Sequence, residues 1–178
     1  MTHFLKVPVF LSALLIGFAA CSSSEKASVP SSSLSMYPTW YSTADFDTDS
    51  TSFHGFATAI SADSLVAIAN AELQARANLE SAIAYKMEDV RAVLEEQGNA
   101  TVSNSDFILT LRNAHNQVQE AASLSNGVSR SDEGKYRGYA RVSITKSAFD
   151  QLMKSAFSGK SGYWQIISSS AAYADEMN

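Results

Sequence analysis

The stretch from Ser61 to Gly98, SADSLVAIANAELQARANLESAIAYKMEDVRAVLEEQG, runs without a proline or an interior glycine, and it constrains the fold more than any other part of the chain. Ile68, Ala71, Ala75, Leu79, Ala82, Ile83, Val90 and Leu94 recur mostly at steps of three and four. That spacing predicts one long amphipathic helix with those residues on a single stripe. Asn70, Gln74, Asn78, Ser81, Glu88 and Glu95 fall on the other side. Asp63 or Ser64 can cap the start, and Gly98 stands where a left-handed residue closes a helix. Glu72–Arg76 and Arg91–Glu95 are spaced for i,i+4 support, worth about 0.2–0.5 kcal/mol each. At 1.5 Å per residue the helix would be about 50 Å long, more than a small sheet can cover. Its far half needs a second layer, either another helix of the chain or a second subunit.

The beginning of the chain reads as an address. A short, mildly basic start ending at Lys6 leads into the apolar run VPVFLSALLIGFAA and then Cys21. This pattern predicts a secretory signal over residues 1–20. Phe18-Ala19-Ala20-Cys21 resembles the bacterial lipobox, whose consensus has Leu where Phe18 stands. The resemblance implies cleavage before Cys21 and diacylation of its sulfur, with a third acyl chain on the new amino terminus in many Gram-negative bacteria. Cys21 is the only cysteine, so it has no disulfide partner within the chain. The apolar run is also shorter than the roughly 20 residues a spanning helix needs. Ser22 after the cysteine, in place of Asp, is similar to the enterobacterial pattern for export to the outer membrane. Two or more acyl chains would hold the protein there firmly.

Charge excludes some partners. The chain has 13 Lys and Arg, one of them Lys6 in the signal, against 18 Asp and Glu, so the mature protein is about one unit more negative than the full chain's −5. A basic groove for nucleic acid is not expected from such a balance. No polybasic membrane patch is present either, so lipid is left to do the anchoring.

Residues 21–52, rich in Ser, Thr and Asp, have the composition of a flexible tether. Its end carries an aromatic cluster over 37–41, where Trp40 and Tyr41 either dock on the domain or recognise a partner. Asp45, Asp47 and Asp49 alternate, but the glycine and closing glutamate of a calcium loop are missing, so no metal site is expected. The domain proper is expected over 53–158. Phe53–Ile60 reads as a strand entering the long helix, with Gly55 marking a close approach or a bulge. Ser103 and Asp106 have capping-box spacing, ahead of a second helix marked by Phe107, Leu111, Ala114, Val118 and Ala121. Leu124–Arg130 is a weak strand, Asp132-Glu133-Gly134 a turn, and Lys135–Ile144 a strong strand. Ser147 and Asp150 would open a short helix ended by Gly159. The tail, 159–178, reads as an added strand at Tyr163–Ile167 followed by a frayed end. The order β-α-α-β-β-α predicts an α+β domain, with about three antiparallel strands, one long helix and two shorter ones.

No catalytic constellation is present in this pattern: no phosphate loop, no nucleophile elbow, no ligand-spaced His and Cys, and no cofactor motif. The polar arrangement that stands out is the row Lys135, Arg137, Tyr139 and Arg141 on one face of the strong strand. It is either a solvated face balanced by acids on a neighbouring strand, or a patch for an acidic partner, a glycan or another subunit.

Pro38-x-Trp40-Tyr41, Phe53-x-Gly55-x-Ala57, a helix with Ala67, Ala71, Ala75-Arg76 and Leu79, and Tyr136-Arg137-x-Tyr139-x-x-Val142 together resemble the Lpp-twenty family of small bacterial lipoproteins. That family takes its name from a Helicobacter membrane-associated lipoprotein, and the flagellar lipoprotein FlgP looks like a relative. The likeness runs from about Pro38 to Phe157, with His54 where the family usually has a second hydrophobic residue. It implies a long helix lying on an antiparallel sheet and no enzymatic activity. It also implies a part in envelope structure, flagellar assembly or host contact. Two functions follow as expectations: a self-associating outer-membrane lipoprotein, or a monomeric module that holds a small ligand or envelope polymer at its sheet. The address is directly testable. Cys21→Ser should abolish lipid attachment and move the protein out of the membrane fraction. Mass spectrometry of the mature amino terminus checks this, and an unmodified terminus or an intact signal in the wild-type protein would overturn it.

Overall fold

The computed structural model describes residues 37–178. The signal, Cys21 and the first part of the tether therefore lie outside the described residues. Strands β1 (Phe46–Thr48), β2 (Ser52–Ser61), β3 (Ser123–Asp132) and β4 (Lys135–Thr145) form one antiparallel sheet in the order β1-β2-β4-β3. Helix α1 (Ser64–Glu96) follows β2, and a 3₁₀ turn at Ala100–Ser103 leads to α2 (Ser105–Asn116) and the single turn α3 (Val118–Ala121). Helices α4 (Lys146–Ala156), α5 (Ser161–Ser168) and α6 (Ala171–Met177) complete the chain. The class is α+β, as the pattern predicts.

Helix α1 forms where the sequence places it. Asp63 is its cap, its carboxylate accepting from the Leu65 and Val66 amides at 2.8 and 3.0 Å. Gly98 closes it at φ +86°. Both predicted i,i+4 ion pairs form, Arg76–Glu72 at 2.7 Å and Arg91–Glu95 at 2.8 Å. The buried positions are Ala67, Ala71, Ala75, Leu79, Ile83, Met87, Val90 and Leu94. Five successive steps of four turn the stripe by about 40° each on a 3.6-residue helix, so the buried face winds round the axis. The winding matches a change of partner. Ala67 and Ala75 face the sheet, where methyls built on Gly138 and Gly55 would lie 2.2 Å from the Ala67 and Ala75 carbonyl oxygens. Met87, Val90 and Leu94 lie in the part of the core shared with Val102, Phe107 and Leu111. The far half is thus buried by the chain's own helices.

Two residues assigned to solvent or to a single ion pair also tie α1 down. Asn78 donates to the Phe56 carbonyl at 2.8 Å, just past the point where the short β1 stops pairing with β2. Arg76 reaches the carbonyls of Gln119 and Ala122 at 2.6 and 2.5 Å, closing the end of α3.

The structure corrects several expectations. The sheet has four strands, and β1 falls inside the segment read as tether. The alternating aspartates are themselves the period-two signal: Phe46 pairs opposite Gly55 and stacks on Phe53 at 6.2 Å, while Asp47 faces the other way. Strand β3 extends past both predicted ends and carries a bulge at Ser125, between the pairs Leu124–Val142 and Asn126–Arg141. The cap of α2 is Asn104, because Ser103 belongs to the 3₁₀ turn and donates to Glu95 at 2.6 Å. The cap of α4 is Thr145, because the helix starts directly from the strand, and Asp150 instead accepts from the Tyr173 hydroxyl. The tail is neither strand nor frayed. Trp164 and Ile167 share a helical face, Trp164 packs edge-on against Tyr173 at 5.5 Å, and Ile167 and Tyr173 are buried. β-Propensity favoured a strand at Tyr163–Ile167, and packing on Phe107 and Phe157 overrode it.

The close contact between α1 and the sheet sets a sharp expectation. Gly138→Ala should destabilise the fold by about 3 kcal/mol, since the methyl meets backbone that cannot swing aside. Gly159→Ala, where nothing lies within reach of the new methyl, should change stability by less than about 0.5 kcal/mol. Chemical denaturation followed by circular dichroism distinguishes the two.

Candidate functional site

Because β2 and β4 turn Gly55, Ala57, Gly138 and Ala140 toward α1, the intervening residues form the opposite, outer face. There His54, Phe56, Thr58 and Ile60 of β2 stand across from Ser143, Arg141, Tyr139 and Arg137 of β4. Asn126, Val128 and Arg130 of β3 flank the same β4 residues on their other side.

The aromatic cluster of the leader segment, residues 37–45 before β1, packs on this face. A turn closed by the Tyr41 amide on the Pro38 carbonyl, 3.0 Å, buries Pro38 and stacks the rings of Tyr37 and Tyr41 at 5.6 Å. Tyr41 meets Tyr139 edge-on at 5.1 Å and Phe56 at 6.0 Å, and Tyr37 meets Tyr139 at 6.0 Å. Trp40 lies half-buried against Tyr41 at 6.1 Å. Tyr139, read from the sequence as part of a polar row, is 1% exposed. Burial pushes the hydroxyl pKa of both Tyr41 and Tyr139 up, since the phenolate would lose its hydration.

Lys135, Arg137, Tyr139 and Arg141 therefore share a face without forming one open patch. Lys135 is exposed at the hairpin. Arg137 is held by Asp132, with its Nε and Nη2 on the same carboxylate oxygen at 2.8 and 2.7 Å. Tyr139 lies beneath the leader. Arg141 is half-buried opposite Asn126, and its Nε and the Asn126 Oδ1 are both buried without a hydrogen bond. Cys21, the predicted lipidation site, lies outside the described residues.

One arrangement on this face escaped the sequence reading. His54 Nε2 lies 3.0 Å from Asp49 Oδ2, and His54 Nδ1 lies 2.7 Å from Ser143 Oγ. Ser143 in turn meets the Ser125 hydroxyl at 2.5 Å. In the neutral imidazole tautomer that donates from Nε2 to the Asp49 carboxylate, Nδ1 accepts from the Ser143 hydroxyl. The order is that of a carboxylate–imidazole–hydroxyl relay. Ser143, however, is paired on both sides in mid-strand, not lifted on a turn as a nucleophile would be. The relay ties the β1–β2 turn to β2, β4 and the bulge of β3. The alternation of Asp45, Asp47 and Asp49 carried half of the signal; the other half was the turn that swings Asp49 back to His54.

Asp49 also accepts from the Thr51 amide and hydroxyl at 2.7 and 2.8 Å and from the Ser52 amide at 2.8 Å. The His54 hydrogen bond first, then those from Thr51, hold its carboxyl far below the usual carboxylate range. Lys160 lowers the carboxyl pKa of Asp106, and Ser103 and then Arg91 lower that of Glu95. Each group binds its proton more weakly folded than unfolded. The stability it confers is complete above the ordinary carboxylate pKa near 4 and is lost as pH falls from there toward the folded values. The denaturation midpoint should therefore decline most steeply below about pH 4, after a smaller fall that starts near pH 6.5 from His115, whose burial lowers its imidazole pKa. Asp49→Asn should make that decline shallower, as measured by urea titrations across the range.

In comparison with known proteins, no family model, no curated protein and no solved structure matches this chain. The family likeness therefore rests on the motif residues themselves.

Proposed function

We propose that the chain is a non-enzymatic, lipid-anchored outer-membrane lipoprotein that self-associates and serves as a structural or assembly component of the envelope, flagellar assembly being one such role. The long helix on an antiparallel sheet agrees with the architecture that the motif likeness implies, and the Cys21 lipobox supplies the anchor. The observation that carries the assembly reading is the open edge of the sheet. Strand β3 runs Ser123–Asp132 and, among the described residues, pairs only with β4, so its outer row of backbone donors and acceptors has no described strand beside it. Apolar side chains stand exposed on the same molecule: Leu124 on that strand, and Leu65 and Leu73 on α1 at 75% and 66%. A lipid anchor confines every copy to one surface and raises its effective concentration, so modest contacts suffice for association.

The length of α1 no longer argues for a second subunit, because α2 and the 3₁₀ turn cover its far half. The alternative reading, a monomeric binding module at the outer face, is favoured by one observation: Arg141 has no ion-pair or hydrogen-bond partner among the described residues. In the same row Arg137 is engaged by Asp132 and Tyr139 is covered, while Lys135 is exposed at the hairpin. Light scattering of the full chain in detergent across micromolar concentrations, with crosslinking in membranes, tests assembly. Oligomers are expected in both settings, and Leu65→Glu combined with Leu73→Glu should reduce them without loss of helical signal. Strict monomers in both settings would overturn the reading in favour of the binding module.

A further inference from the structure

Where the β1–β2 turn meets the junction of β4 and α4, Ser50, Thr51, Thr145, Lys146 and Ser147 line a cleft of about 430 Å³. Every side chain in that lining carries a hydroxyl or an ammonium group, and none is acidic. Lys146 is the unusual member. It is only 7% exposed, yet its ammonium makes no hydrogen bond or ion pair among the described residues. Its backbone is pinned by the Thr51 carbonyl at 2.8 Å, and the Phe53 ring lies 5.5 Å from the ammonium on one side. Buried lysines are normally paired, so a cation left with only a ring beside it needs a partner. Lys146 is itself part of the cleft's lining.

Helix α4, eleven residues long, begins at the same place with no acid in its first turn. Thr145 accepts from the Ala148 amide at 3.1 Å, which leaves its hydroxyl hydrogen to donate elsewhere. The Ser147 amide and hydroxyl and the Ser50 hydroxyl have no protein partner among the described residues. Of the neighbouring carboxylates, Asp49 is occupied by Thr51, Ser52 and His54, and Asp150, one turn along α4, accepts from the Tyr173 hydroxyl. A helix start with free donors and an aligned dipole favours an anion, and here a buried, unpartnered ammonium stands beside it.

We propose that this cleft binds an oxyanion of the phosphate class. Lys146 supplies the charge, and Ser147, Ser50 and Thr145 supply hydrogen bonds to separate oxygens. A tetrahedral phosphate offers more oxygens to converging donors than a carboxylate does, and charge-assisted bonds to it are the stronger kind. The phosphate of a lipid headgroup and free phosphate present the same chemistry. The site stands independently of self-association.

Calorimetric titration of the full chain in detergent, at fixed ionic strength, tests this with three probes: inorganic phosphate, dihexanoyl phosphatidylglycerol and acetate. Saturable binding of inorganic phosphate identifies free phosphate, and binding of the lipid alone identifies a headgroup; either supports the site. Lys146→Met, which keeps the buried stem, should weaken binding at least about tenfold, and Ser147→Ala about threefold. Lys154→Met, on the exposed side of α4, should leave it unchanged. Should Lys146→Met fail to fold by circular dichroism, Ser147→Ala at its exposed position carries the test. The proposal is overturned if neither phosphate probe saturates by about 20 mM, if acetate binds as well, or if Lys154→Met weakens binding as much as Lys146→Met.

Discussion

The approach of α1 to the sheet at Gly55 and Gly138 is the contact on which the other features depend. Alanine on the helix and glycine on the strands bring two backbones so close that a single methyl would collide with a carbonyl oxygen. Little apolar area is gained per residue in such a seam, and what it fixes is position. With the helix seated there, its i+4 stripe winds off the sheet and presents Met87, Val90 and Leu94 to the 3₁₀ turn and α2. Arg76 and Asn78 then find carbonyls at the end of α3 and the edge of β2. Moving the helix outward by the width of a methyl would loosen each of these contacts.

The outer face of the sheet is organised by a different force. A sheet with one face on a helix exposes the other to water, and here the leader's tyrosines cover its centre. They pack edge-to-face over Tyr139 and Phe56, a geometry that places ring edges on ring faces and adds to plain area burial. The leader therefore acts as part of the domain from Tyr37 onward. Function then falls to what is left uncovered: the edge of β3, the apolar residues of α1, and the cleft at the start of α4. An edge and a patch suit association between copies. A hydroxyl-lined cleft with a buried cation suits a small anion, and one chain can hold both.

Much of the scaffold was legible in the residues. Helix α1, its Asp63 cap, its Gly98 end, the strong strand β4 and the Glu133-Gly134 turn all follow from local signals whose range is a few residues. The turn has both φ values positive, at 49° and 81°, the two-residue hairpin geometry that a following glycine permits. The address expected at Cys21 lies outside the described residues. What the residues could not decide was settled by contacts between distant segments. Asp45–Asp49 alternates for a strand, but only β2 beside it makes the strand. Tyr163–Ile167 favours a strand by propensity, but Phe107 and Phe157 reward one helical face. Lys135, Arg137, Tyr139 and Arg141 share a strand face by period alone. That Tyr139 is closed, Arg137 paired and Arg141 left alone depends on the leader and on β3, which approach from far along the chain. Lys146 reads in sequence as an ordinary helix-start lysine; Phe53 and the β1–β2 turn enclose it, and that enclosure exists only once the sheet has formed.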